Sequence, residues 1–269
     1  MHATRSPRSR PDTAPKSAAA GEANPVRLSV VIPALNEAER LPATLASVRR
    51  EEGVEFIVAD GGSRDATTSV AAAHGARVIR TPPGRGRQMN AGAVESRGVR
   101  LLFLHADTRL PPDYLRQVDQ VLDREDTAAG AFHLAFDRPG PQLRLIAAGA
   151  NLRSRLFALP YGDQALFMNR TVFEEVGGFP EKLIMEDYEL VRRLRRHGQV
   201  RLAPGSVITS ARRCMREGPW RIVLKHQAII IGWRLGVDAR RLVRWRRGDG
   251  PAPSLAGKPS RIAAPDERQ

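Results

Sequence analysis

Four carboxylates stand where chemistry is the first reading to weigh. Asp60 precedes Gly61-Gly62-Ser63, Asp107 closes the string His105-Ala106-Asp107, and Glu186 and Asp187 stand together ahead of Leu190, Val191 and Leu194. Carboxylate oxygens are hard ligands for Mg²⁺ or Mn²⁺, and such an ion bridges protein to phosphate and offsets charge growing on a phosphate leaving group. Asp107 is therefore the candidate metal ligand, since one carboxylate together with two phosphates suffices. His105 is a candidate ligand contact; imidazole suits Mn²⁺ better than Mg²⁺, and a hydrogen-bonded structural role stays open for it. Phosphate signals accompany the acids. Gly84-Arg85-Gly86-Arg87 leads into a helix bearing Gln88, Asn90 and Gly92, where free N–H groups and guanidinium forks suit a diphosphate. Asn90 and Gly92 read equally as helix packing, and Arg212 and Arg213 as phosphate contacts or surface charge. Asp60 with Gly61 reads as an acceptor for the base or ribose of a nucleotide, or as a turn.

Such residues need a scaffold that gathers them. Short apolar runs at 28–32, 54–59, 77–80 and 101–104 alternate with helical patterns, which predicts a parallel sheet with crossover helices. Ligands of an open parallel sheet bind beyond the carboxyl ends of its strands. Pro33, Asn36 and Glu37 follow the first strand, Asp60 and Gly61 end the second, and His105 and Asp107 end the fourth, so three strand ends converge on one edge. Asn36 is placed as a helix N-cap with Glu39 as its capping-box partner, ahead of Leu41, Leu45 and Val48. A helix over 65–74 ends at Gly75. Beyond residue 104 the pattern becomes mixed: Phe132, Leu134 and Phe136 alternate like a half-exposed strand. Glu186 and Asp187 fall in the first turn of a helix, where acids also simply complement the helix dipole.

The bulk properties narrow the classes. The chain has 269 residues and a net charge of +14. Residues 1–27 contribute +3 and residues 238–269 contribute +4, leaving +7 on the body. With 5% aromatics and no aromatics interleaved in the basic clusters, nucleic-acid binding is not favoured; a phosphorylated ligand or an anionic membrane face suits the charge equally. Residues 1–26 and 248–269 are poor in periodic apolar pattern and are expected to be disordered tails, the first of them basic, around one domain at 27–247 that includes C-terminal helices at 219–247. Cys214 is the single cysteine, which suits a reducing compartment, and no signal peptide is expected at the N-terminus. The expected location is the cytoplasm, with peripheral contact at the inner membrane face as an option. The stretch 219–237 mixes Trp220, Ile222, Leu224, Ile229 and Trp233 with Arg221, Lys225 and Arg234, and reads as core packing or as an interfacial helix with both tryptophans at headgroup level.

No G-x-G-x-x-G follows the first strand, which weakens a Rossmann dinucleotide site, and no G-x-x-x-x-G-K-[ST] occurs, which removes a P-loop. Pro33-Ala-Leu-Asn-Glu37, Asp60-Gly-Gly-Ser63, Gly84-Arg-Gly-Arg-Gln-Met-Asn-Ala-Gly92, a strand ending ahead of Asp107, Tyr161-Gly-Asp-Gln164, Met185-Glu-Asp-Tyr-Glu-Leu190 and Ser210-Ala-Arg-Arg213 together resemble the inverting family-two glycosyltransferases of the GT-A fold. Within them the chain looks most like the bacterial arsenosugar-biosynthesis-type subgroup. The resemblance covers about residues 28–237 and departs from the family at His105, where Asp-x-Asp is usual. It implies the nucleotide-diphospho-sugar transferase (GT-A) fold, a mostly parallel α/β sheet with helices on both faces and a mixed C-terminal half. It also implies a nucleotide diphosphate sugar as donor, Mn²⁺ or Mg²⁺ as cofactor, and an acceptor hydroxyl on a small molecule or a lipid-linked sugar. It makes Asp187 the general base, with Glu186 beside it, and sets Gly162, Asp163 and Gln164 along the sugar and acceptor pocket. Residues 241–245 faintly resemble the Gln/Arg-x-x-Arg-Trp motif of processive members; processivity is not inferred. Two alternatives remain: a sugar-phosphate nucleotidyltransferase, disfavoured by the glycine-free loop at 33–37, and a basic nucleic-acid or membrane-binding module without activity, which has no use for three converging aspartates.

Overall fold

The structure, a computed structural model, describes residues 26–48 and 52–247. The readings of 1–25 and 248–269 as tails lie outside the described residues. The first half alternates as expected: β1 (Leu28–Ala34), α1 (Leu41–Ser47), β2 (Val54–Asp60), α2 (Thr67–Ala73), β3 (Arg77–Arg80), α3 (Arg85–Glu95) and β4 (Arg100–Phe103). β1 is buried along its whole length, as a strand covered by helices on both faces must be. Its side chains feed two cores: Val30 and Ile32 pack on one face of the sheet and Val31 on the other. Gly92 lets α3 close on β1, because a Cβ there would run into the Val31 side chain. This is the helix-packing reading of Gly92.

The second half adds β5 (Thr108–Arg109), α4 (Tyr114–Leu122), β6 (Thr127–Phe136), α5 (Pro141–Phe157), a 3₁₀ turn (Gly162–Gln164), β7 (Phe167–Asn169), α6 (Arg170–Glu175), α7 (Glu186–Leu194), β8 (Gln199–Thr209), α8 (Arg212–Glu217), α9 (Pro219–Arg234) and α10 (Ala239–Arg247). All eight strands form one sheet of order β3-β2-β1-β4-β7-β6-β8-β5. β1 pairs in parallel with β2 and β4, and β2 with β3; β7 runs antiparallel to β4 and β6. The chain winds outward from β1 to β3 and then returns to the other side of β1 with β4, so the order reverses between β1 and β4. That reversal opens a crevice at the carboxyl ends of these two strands.

Two expectations are corrected and one is extended. Asn36 caps no helix: it has φ 55°, accepts the Arg64 N–H on Oδ1 at 2.8 Å and donates its own N–H to Ser63 Oγ at 2.9 Å. An Asn tolerates the left-handed region because its side chain bonds locally, and here it fastens the β1 loop to the β2 loop, while α1 starts at Leu41 without a side-chain cap. The expected alternation of β6 holds from Phe132, and the strand begins earlier, with residues 127–132 buried on both faces. In α9 the two tryptophans part company. Trp220 is exposed, whereas Trp233 packs on the second core and donates its indole N–H to Glu189 Oε1 at 2.8 Å.

Candidate active site

The crevice between β1 and β4 holds a cavity of about 640 Å³. Its lining gathers Pro33, Leu35 and Glu37 from the β1 loop, Pro83 to Gln88 from the start of α3, and His105 and Asp107 beyond β4. Glu181, Lys182, Leu183 and Glu186 come from the approach to α7, and Ser210, Arg212 and Arg213 follow β8. Val243 and Arg246 of α10 close it. Ten residues singled out in the sequence thus share one cavity: Pro33, Glu37, Arg85, Arg87, Gln88, His105, Asp107, Glu186, Arg212 and Arg213.

Its electrostatics are those of an anion site with an acidic floor. Burial pushes the Asp107 carboxyl up, while Arg212, Arg85 and Arg40 pull it back. Glu37 is likewise raised by burial, opposed by Arg212 and reinforced by Asp107. The Arg212 guanidinium donates to Glu37 Oε1 at 3.2 Å, while Glu37 Oε2 is buried with no hydrogen-bond partner. Two carboxylates that resist ionisation, one of them with an unanswered oxygen, are short of positive charge. Among the described residues no group of three Asp, Glu, His or Cys could hold a metal ion unaided; Asp107 needs further oxygens, such as those of a diphosphate. Arg85, at the start of α3, lies 3.5 Å from Glu186 Oε1, and Glu186 is raised by burial and by Asp187.

The adjacent acids at the start of α7 diverge, as neighbouring helical positions about 100° apart require. Glu186 lines the cavity. Asp187 turns to the 3₁₀ segment, where Oδ2 accepts the Gly162 N–H at 2.8 Å and Oδ1 accepts the Tyr188 N–H at 2.8 Å. Met185, just before them, has φ 66°, an unusual conformation for a bulky residue that sets how α7 enters the site. Gly162 has little room: a Cβ there would stand 3.1 Å from His105 Nε2 and 3.2 Å from Asp187 Oδ2. His105 Nε2 is buried without a partner. Burial, with Arg85 close by, lowers the His105 pKa to about 3, so the imidazole is neutral. Asp163 is half-buried, with a buried, unpartnered Oδ1, and desolvation with the Asp187 charge outweighs Arg153 to raise its pKa to about 6.

Other residues singled out in the sequence hold the site's frame. The Asp60 carboxylate accepts the Gly62 and Ser63 N–H groups, both at 3.0 Å, as a turn former does. Gln88 donates to Ala34 O and Ala59 O, both at 2.8 Å, bridging the ends of β1 and β2, and its side chain packs over Gly61. Asn90 donates to Phe179 O at 2.8 Å and accepts the Phe179 N–H at 2.9 Å. Gln164 donates to Phe132 O at 3.0 Å and accepts from Ser154 Oγ at 2.7 Å. Asn36, Asp60, Gly61, Asn90, Gly162, Asp163, Gln164 and Asp187 stand outside the cavity lining. The sequence reading missed Glu181, Lys182, Leu183, Val243 and Arg246. Val243 and Arg246 are three apart in α10, a spacing that puts both on one helix face and was the available signal.

Comparisons with known proteins bear on the family and the fold. The family described as Glycosyl transferase family 2 matches residues 29–179. An uncharacterized glycosyltransferase of Mycobacterium tuberculosis is 37% identical over 98 residues, 36% of this chain and 44% of the relative. A PGL/p-HBAD biosynthesis glycosyltransferase of Mycobacterium bovis is 40% identical over 162 residues, 56% of this chain and 62% of the relative. The chain thus spans less than two thirds of the length of either relative. A mannosyltransferase of Pyrobaculum calidifontis, solved in complex with GDP-Man and Mn²⁺, superposes with a TM-score of 0.58 at 17% identity, covering 85% of this chain and 66% of that one. The shared architecture is the GT-A fold.

Proposed function

This chain belongs to glycosyl transferase family 2, and we propose that it transfers a sugar from a nucleotide diphosphate sugar to an acceptor hydroxyl, with inversion and with the help of a divalent cation. The observation that carries the reading is the cavity at the β1/β4 reversal, which sets half-buried Asp107 and Glu37 among Arg85, Arg87, Arg212 and Arg213. The basic side chains and the start of α3 receive the diphosphate. Asp107 would hold Mn²⁺ or Mg²⁺, and the unanswered Glu37 oxygen faces the same deficit of positive charge. When bound, that cation supplies charge against the departing nucleoside diphosphate.

In the transfer, the acceptor oxygen forms a bond to the anomeric carbon as the bond from that carbon to the diphosphate oxygen breaks. The leaving diphosphate takes the electron pair, and Asp187 takes the acceptor's proton. The Gly162 N–H fixes one Asp187 oxygen and the Tyr188 N–H the other, so the carboxylate is oriented before the acceptor arrives. Neutral His105 adds no charge beside it. A single displacement of this kind inverts the anomeric centre. Within the family we place the chain with the arsenosugar-biosynthesis-type branch on its sequence motifs.

A thermal-shift series with UDP- and GDP-sugars, each with and without Mn²⁺, tests the donor half. One donor with Mn²⁺ is expected to raise the unfolding temperature, as a ligand bound only by the folded chain does, and the shift should vanish in Asp107→Asn. A series in which no donor stabilises the chain contradicts the proposal.

A further inference from the structure

We propose that α5 and α9 form a docking face for an anionic bilayer surface and that the acceptor is anchored in the headgroup layer; the acceptor half rests on the transfer reading above. Large exposed apolar side chains concentrate in this part of the molecule. Leu145, Leu152 and Leu156 of α5 are 57–65% exposed, and Phe157 follows them. Trp220, Leu224 and Ile231 of α9 are exposed as well, Leu224 by 70%. Steps of seven and four along α5, and of four and seven along α9, return to one helix face. The inner faces are occupied: Leu143, Ala147, Ile229 and Ile230 are buried, and the two helices pack on each other.

Charge selects the occupant. Neither helix contains an Asp or Glu, and Arg144, Arg155 and Arg221 stand exposed beside the leucines. A second copy docked through the same face would set these cations against their own equivalents. Anionic headgroups instead supply the opposite charge, while leucine and tryptophan side chains enter the boundary between headgroups and acyl chains. Among the described residues no helix is long and apolar enough to cross a membrane, so the contact lies in the plane of the interface.

The face also borders the site. Arg153 of α5 lies 3.5 Å over the Tyr161 ring and donates to Gln164 Oε1 at 3.3 Å. His226 of α9 packs on the same ring at 5.6 Å between centroids. The next residue, Gly162, donates to Asp187. The helices that expose the apolar rows therefore hold the turn on which the proposed base rests, and an acceptor standing in the headgroup layer is delivered to that side.

The test uses the full chain and two vesicle types, phosphatidylcholine alone and phosphatidylcholine mixed with phosphatidylglycerol. Wild type should co-sediment with the anionic vesicles, and Leu152→Glu/Leu224→Glu should cut that partition by about tenfold or more, since both residues are exposed and their replacement leaves the cores untouched. Size-exclusion chromatography and nucleotide-sugar hydrolysis in solution accompany it, and both should be unchanged in the variant. Three results overturn the docking face: no binding of wild type to anionic vesicles, equal binding of the double variant, or a wild-type dimer that the substitutions dissociate. Absence of hydrolysis in wild type strikes the transfer reading and the anchored acceptor, while the vesicle partition still decides the docking face on its own.

Discussion

Asp187 and Glu186 show how two identical functional groups acquire different tasks from one peptide bond between them. Asp187, oriented by Gly162 and Tyr188 N–H groups, is assigned the proton from the acceptor. Asp187→Asn should therefore lower turnover by about 10²–10⁴-fold with donor affinity retained, and Glu186→Gln should be milder. Steady-state rates and donor titrations check both; the reverse ranking would exchange the roles. Asp163 carries a pH signature. It keeps its proton in the folded chain to about pH 6, against 3.8 for an ordinary aspartate. Across that window the folded state holds the extra proton, so stability falls as pH rises and stays reduced above it. Asp163→Asn removes the ionisation and should be more stable than the parent near neutral pH, by about 2–3 kcal/mol. The gap should narrow as pH falls from 6 toward 4 in urea unfolding, whereas a pH-independent gap refutes the assignment. At this scale the sequence showed which polar residues gather at the site but not how each is used. Asp60, Gln88, Asn90 and Gln164 satisfy backbone groups of neighbouring segments, and those partners exist only once the segments have met.

The elements that position these groups meet at crowded, strained joints. Asn36, Ala158, Ala165 and Met185 all have positive φ, and each lies in or beside a loop that shapes the site, at a cost of about 1 kcal/mol or more apiece. Gly162 marks the joint beside the proposed base. Gly162→Ala would press a methyl on His105 and Asp187 and should lower kcat far more than donor affinity, because it moves the base and not the diphosphate cradle. Equal losses in both would place its effect in the donor site. The strands β1, β2 and β4 were legible because a parallel strand covered on both faces leaves a continuous apolar run, and the glycine after α2 marked that helix's end, ahead of the short edge strand β3. The loop after β1 was misread, since an Asn followed by a Glu matches a capping box whether or not a helix starts there. The spacing of Val243 and Arg246 puts them on one face of α10, but nothing local says that this face closes the cavity.

At the scale of the molecule, one sheet of eight strands divides the work. Its parallel half ends in the residues proposed for the diphosphate and the metal, and its mixed half brings α7, the 3₁₀ turn and the basic helices to the proposed acceptor side. The proposals give the positive charge of the chain two uses, phosphate binding inside the cavity and attraction to anionic lipid outside it. The most direct test of the central claim is the release of nucleoside diphosphate from UDP- and GDP-sugars by the full chain, measured with Mn²⁺, with chelator, and in Asp107→Asn. The account predicts release from one donor that requires the cation and is lost in the variant while the fold remains intact. Release that ignores both chelator and Asp107, or no release from any donor, contradicts it.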